Sequence, residues 1–265
     1  MRRQLPVEFV FQLFSLFLSV ILVHAMYVAW IRPQANAVME EQRIMLEQDA
    51  GYVPERSLYV IVRDFEQEAC LILALWALAI MGYKARGALR ERSLLQRDLL
   101  PLAEGVRILP EDTREHARQL RALPESQQRL LLPRVLLSAL QRFGATGNVQ
   151  DVSSATQTLV NAEAERLESE LSMIRYIAWA IPSIGFIGTV RGIGQALTLA
   201  YRAVEGDISG VTESLGVAFN STFFALLVSI FIMFLVHQLQ LLQERLVFET
   251  SDYCDERLIR RLQGD

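Results

Sequence analysis

Long apolar runs alternate along the chain with polar, charge-rich stretches, and the apolar runs approach the length that crosses a membrane. Phe9–Ile31 is interrupted by Gln12 and His24, and Ala69–Tyr83 is shorter and is followed by Lys84 and Arg86. A third run extends from near Tyr176 to Ala200, and a fourth covers Val217–Val236. A hydrocarbon layer of roughly 30 Å needs about 20 helical residues. The pattern therefore predicts four spans, the second borrowing length from the snorkelling stems of Lys84 and Arg86. The first run shows neither the short apolar core nor the clear small-x-small cleavage site of a signal peptide, and reads as a span.

The polar segments carry helical periodicity of their own. Between Pro101, Pro110, Pro124 and Pro133 lie leucine-rich stretches such as "RLLLPRVLLSALQRFG", which predict short amphipathic helices. "GATGN" at 144–148 reads as a loop. A longer helix begins near Asp151 and Ser153, both capping residue types, and continues through Leu159, Val160, Leu167, Leu171 and Ile174 into the third span. The stretch after His237 extends the fourth span in the same way. Helices of this kind pack as a bundle, for docking or scaffolding.

Charge sets the orientation. Arg2 and Arg3 precede the first span and Lys84, Arg86, Arg90 and Arg92 follow the second, whereas the 32–68 segment holds 4 basic and 8 acidic residues. Positive residues stay inside, so the N-terminal residues and first span (1–31) start in the cytoplasm. Segment 32–68 is then a periplasmic loop, 69–83 the second span and 84–175 a cytoplasmic helical domain. Residues 176–200 form the third span, 201–216 a periplasmic loop, 217–236 the fourth span and 237–265 a cytoplasmic helical tail. The fold class is an all-α, multi-pass integral membrane protein of four transmembrane helices with cytoplasmic helical extensions.

A composition of 52% hydrophobic residues with a net charge of −4 fits such a protein and argues against nucleic-acid binding. No phosphate-binding glycine loop, nucleophile elbow or metal-ligand spacing occurs. His24, His116 and His237 stand apart, and Cys70 and Cys254 read as structural. The expectation is a non-enzyme without cofactor or metal.

The third span, "AIPSIGFIGTVRGIGQAL" at 180–197, gives up much apolar bulk. At 100° per residue Pro182, Gly185, Thr189, Gly192 and Ala196 share a sector of about 80°. The fourth span aligns Ala218, Thr222, Ala225 and Ser229 in the same way. Thr189 and Thr222 lie at one level, both about 21–22 Å from the cytoplasmic edge at ~1.5 Å per residue. Small faces such as Gly188/Gly192 serve close helix packing, and a threonine can bond its own backbone. The same pattern also suits a lined polar path, and Pro182 adds to that reading by leaving the Ala178 carbonyl without its helical donor. Arg191 points about 200° away from Thr189 and reads as an interfacial or inter-subunit contact. Asn220, opposite Thr222, reads as a hydrogen bond between helices. No Asp or Glu falls inside a predicted span, so a proton path would need a carboxylate from another polypeptide.

These residues resemble a known family. "AIPSIGFIGTVRGIGQAL" is similar to the A-P-x-x-G-L-x-G-T-V-x-G-I helix of the MotA/TolQ/ExbB proton-channel family, with Pro182, Gly185, Gly188, Thr189, Val190, Gly192 and Ile193 in register. "FNSTFFALLVSI" resembles the next helix, Thr222 taking its threonine and Ala225-Leu226 its small-Leu pair. The chain departs from the Tol and Exb relatives at Val217, at Arg191 and in lacking a late proline in the fourth span. The four-span layout looks more like the flagellar-motor branch.

The resemblance implies a homopentamer in the bacterial inner membrane around a dimer of a single-span ExbD/TolR/MotB-like partner. Each partner span carries a membrane aspartate, and its protonation drives mechanical work from the proton motive force. The ion-path and partner-facing residues would be Thr189, Thr222, Pro182, Gly185, Gly188, Gly192, Ala218, Ala225 and Ser229. The small faces would let the partner helices sit and move against them. The translocated ion is H+, with Na+ open, and no resident cofactor is implied. The alternative is a non-conducting scaffold that recruits a cytoplasmic partner.

Overall fold

The apolar runs fold as helices that continue past the lengths a membrane requires. A computed structural model describes residues 7–48, 52, 57–101, 106–206 and 208–263. Arg2 and Arg3, which entered the orientation argument, lie outside these, as do parts of segments 32–68 and 84–175 and Asp207 of 201–216. In chain order the elements are α1 (Val7–Met26), a π-helical turn (Tyr27–Ile31), α2 (Arg32–Gln48), α3 (Leu58–Ile61) and α4 (Phe65–Leu95). There follow α5 (Thr113–Arg121), α6 (Glu125–Gln128), α7 (Leu131–Thr146) and α8 (Val149–Glu170). The last are α9 (Ser172–Thr198), α10 (Ala200–Val204), α11 (Ser209–Arg257) and a 3-10 turn (Ile259–Arg261). Among the described residues there is no strand, only an isolated parallel bridge between Ile108 and Leu262. Among the described residues, four helical stretches are long and apolar enough to cross a membrane: Val7–Gln48, Phe65–Leu95, Val149–Thr198 and Ser209–Arg261.

Several element ends differ from expectation. Segment 32–68 opens as α2, in helical continuity with α1 through the π turn. That turn has a cause: Pro33 has no N–H for the Ala29 carbonyl, and the Arg32 N–H reaches back to Tyr27 O instead. The second helix starts at Phe65, four residues before Ala69. The "GATGN" stretch is not all loop, since α7 runs through Gly144 to Thr146 and ends on Gly147, whose φ of 62° is one that glycine adopts without strain. Neither Asp151 nor Ser153 caps α8; Asn148 does, accepting from the Gln150 and Asp151 amides. As expected, α8 continues into α9 as one helical stretch, Val149–Thr198, in which Leu171 is a single turn residue with right-handed helical dihedrals.

The described chain divides into two compact units, Met1–Met81 with Met173–Val236 and Gly82–Ser172 with His237–Asp265. In the first, Val23, Tyr27 and Ile31 pack on Leu71, Ile72 and Leu75 of α4. The Trp76 indole donates to the Gln12 carbonyl at 2.9 Å, joining the same two helices nearer their other ends. Phe14, Phe17, Trp179, Phe186, Phe223 and Phe231 remain exposed, an apolar exterior suited to lipid or to other chains.

The second unit has a globular core in which Leu120, Leu136, Leu140, Phe143, Val152, Cys254 and Leu258 are buried together. The Glu91 carboxylate accepts from the Leu131 amide at 3.1 Å and so caps the start of α7. Glu163 is buried between Arg134 and Arg166, and Lys84 pairs with Glu170 at 2.9 Å. Burial pushes the Cys254 thiol up to about 12, so it is inert packing rather than a nucleophile.

Candidate ion path

The site is built by α9 and α11, which meet along their small faces. Gly185, Gly188, Gly192, Ala218 and Ala225 are buried in this seam, and Pro182, Thr189, Thr222 and Ser229 are half-buried along it. The structure thus brings all nine singled-out residues to one interface within the chain. The room left by the glycines is occupied by α11 itself. A side chain at Gly185 would run into Ala225, one at Gly188 would stand 2.7 Å from Ser221 Oγ, and one at Gly192 would stand 2.7 Å from the Ser214 carbonyl. Only glycine permits backbones this close.

That close approach lets the two threonines meet. The Thr189 and Thr222 hydroxyls are in hydrogen-bond contact with each other. Thr189 Oγ1 also lies 3.0 Å from the Ala218 carbonyl, and Thr222 Oγ1 lies 3.0 Å from the Gly185 carbonyl. Each hydroxyl has a single proton to donate, so these contacts cannot all form at once. In one arrangement Thr189 donates to Thr222, which donates to Gly185 O. In the other Thr222 donates to Thr189, which donates to Ala218 O. The pair is a hydrogen-bond chain with two directions, and each direction leaves a different hydroxyl free to accept from outside.

Further along the seam, the carbonyl freed by Pro182 finds a donor. Ser229 Oγ donates to Ala178 O at 3.2 Å, so α11 supplies what the α9 backbone lacks. Beside this point an open groove of about 690 Å³ is walled by Trp179, Pro182, Phe186, Ser229 and Met233. Asn220 is half-buried, and its side chain bonds no described residue.

Charges lie nearer the seam than the sequence suggested. Because α4 begins at Phe65, Glu66 and Glu68 sit in its first turn, 9% and 6% exposed. Arg191, read from the sequence as an interfacial or inter-subunit contact, grips Glu66 of its own chain through two bonds of 2.7 and 2.8 Å. His24 does not stand apart: its Nδ1 lies 2.6 Å from Glu68, which Arg32 also contacts. Arg63 pairs with Glu213 at 3.1 Å. The sequence signal for these acids was "DFEQEAC", carboxylates placed where a helix N-terminus favours negative charge. Hydropathy alone ends the span just after them. Among the described residues, no group of three or more His, Cys, Asp or Glu could hold a metal.

Residues 127–251 match the MotA/TolQ/ExbB proton channel family. The match reaches beyond the third and fourth spans to take in α7, α8 and most of the α11 extension. No match was found among curated proteins or solved structures.

Proposed function

We propose that this chain, whose residues 127–251 match the MotA/TolQ/ExbB proton channel family, is the proton-conducting, stator-type subunit of an inner-membrane motor. Five copies surround a dimer of a single-span partner, and the partner supplies the titratable group that the seam lacks, a membrane aspartate. The observation that carries this reading is the Thr189–Thr222 hydroxyl pair held between small helix faces.

The mechanism follows from the pair's two directions. A protonated aspartate donates to whichever hydroxyl is free to accept. An ionised aspartate accepts only when a hydroxyl turns its proton away from the backbone carbonyl it holds, Gly185 O for Thr222 or Ala218 O for Thr189, so the two states of the aspartate favour different arrangements of the pair. The half-buried Thr189, Thr222, Pro182 and Ser229 meet the partner, and the groove beside Pro182 receives the flank of its helix. Gly185, Gly188, Gly192, Ala218 and Ala225 act behind them by holding α9 and α11 close enough for the hydroxyls to touch. The conducted ion is H+, since a hydroxyl chain passes a proton by reversal, whereas Na+ needs several oxygens at fixed distances. The partner's motion then transmits the proton motive force as mechanical work.

Native mass spectrometry of the chain, alone and co-expressed with a single-span protein from an adjacent reading frame, tests the architecture. A pentamer that takes up two partner copies is expected. A monomer or dimer that binds no such partner would overturn the proposal and leave the seam as packing.

A further inference from the structure

The segment leading into α4 and its first turn form an ionic hub. Within six residues, 63–68, it sends one charged side chain to each of the other long helical stretches of the first unit. Arg63 reaches Glu213 of α11, Glu66 reaches Arg191 of α9, and Glu68 reaches His24 of α1 and Arg32 of α2. Of these, the Glu66–Arg191 contact has the tightest geometry. Both guanidinium donors used, Nε and Nη2, meet separate carboxylate oxygens, a planar fork that fixes orientation as well as distance.

We infer that Glu66 and Arg191 are positioning residues that set the rotation of α9, and thereby keep Thr189 turned toward Thr222. The seam itself is poorly suited to that task. Its opposing faces carry Gly185, Gly188 and Gly192 against Ala225, Ser221 and Ala218, which offer few knobs to resist rotation or sliding. Glu66 grips α9 on a different flank. A side chain at Gly188 would stand 3.0 Å from Glu66 Cγ, so the acid lies against α9 there and clasps Arg191 one turn further on. On a helical wheel Gly188 and Arg191 lie about 60° apart and about 100–160° from Thr189. The fork therefore holds α9 from the side while its threonine faces α11. A low exposure of 10% for the Glu66 side chain keeps water from competing for the fork.

This inference rests on the proposed function only for the importance of Thr189; the clamp itself is tested without any flux. Thr189→Cys with Thr222→Cys, in the full-length chain in detergent, gives a thiol pair whose oxidation by copper phenanthroline reports how squarely the two positions face. Single-cysteine variants control for the buried Cys70 and Cys254. Adding Glu66→Gln or Arg191→Gln is expected to slow the cross-link by about tenfold, the scale of coupling between contacting residues, with assembly and melting temperature close to the parent. The charge-swapped pair Glu66→Arg with Arg191→Glu is expected to recover much of the rate. An unchanged rate in both single variants would overturn the inference. If the single variants misassemble, the charge-swapped chain decides: recovered folding without a recovered rate also overturns it. Proton flux on the same preparations separates the two claims, because a parent complex that conducts nothing refutes the proposed function and leaves the clamp standing.

Discussion

Ser229→Ala removes a side-chain donor to a carbonyl that Pro182 has already deprived of its helical partner. A neutral hydrogen bond of this kind contributes about 0.5–1.5 kcal/mol, and side-chain bonds between membrane helices average about 0.6 kcal/mol. The methyl group that replaces the hydroxyl leaves almost no void, so the bond accounts for nearly the whole effect. A destabilisation of about 1 kcal/mol is expected in the parent chain. In a Pro182→Ala background the new amide at 182 can close the ordinary helical bond to Ala178 O, and the same Ser229→Ala change is expected to cost close to nothing. The two substitutions are thus coupled by about 1 kcal/mol, a factor of about five in the unfolding equilibrium. Reversible unfolding of the four chains of this cycle in mixed micelles, followed by circular dichroism, measures it. An equal cost of Ser229→Ala in both backgrounds would refute the claim that Ser229 substitutes for the missing amide.

Glycine substitutions separate close approach from flexibility. Gly192→Ala places a methyl 2.7 Å from the Ser214 backbone carbonyl and is expected to destabilise by about 1–3 kcal/mol. Gly194→Ala, two residues on, meets nothing within 4 Å and is expected to be neutral or stabilising by up to about 1 kcal/mol; melting temperatures in detergent compare them. In the second unit, burial pulls the Glu163 carboxyl up, but the hydrogen bonds and charges of Arg166 and Arg134 outweigh it and leave it below its usual range. Its contribution is therefore complete above the unfolded carboxylate pKa of about 4.3 and is lost as pH falls through the lower folded value. Melting temperature measured down the acid limb is expected to fall less steeply in Glu163→Gln than in the parent.

The helical periodicity carried much of this architecture. The seam was legible because glycine, alanine, serine and threonine recur at helical spacing, and because the two threonines share a level they could meet. The lone carbonyl behind Pro182 was legible from covalent structure alone. What covers these faces was not: the same pattern serves a partner helix or a neighbour in the same chain, and in the folded protein α11 lies there. The hub at Arg63–Glu68 was hidden for a different reason. Hydropathy averages treat carboxylates as the end of a span, whereas a helix N-terminus stabilises them and they can be neutralised by arginines distant in sequence. The α8 start was misplaced because Asn148, Asp151 and Ser153 are all capping types, and only backbone conformation chooses among them. Arg191 illustrates both limits, since its direction off the seam follows from helical geometry but its partner is 125 positions away.

The central claim is that the Thr189–Thr222 hydroxyl pair carries protons in concert with a partner's aspartate. The most direct test is proton flux into liposomes containing the co-purified complex under an imposed potential, for the parent and for Thr189→Val with Thr222→Val. Valine keeps the shape and removes both hydroxyls, so the double variant is expected to assemble normally and lose conduction by at least about a hundredfold, the low end of what one lost proton-transfer group removes. Full conduction in a correctly assembled double variant would contradict the account.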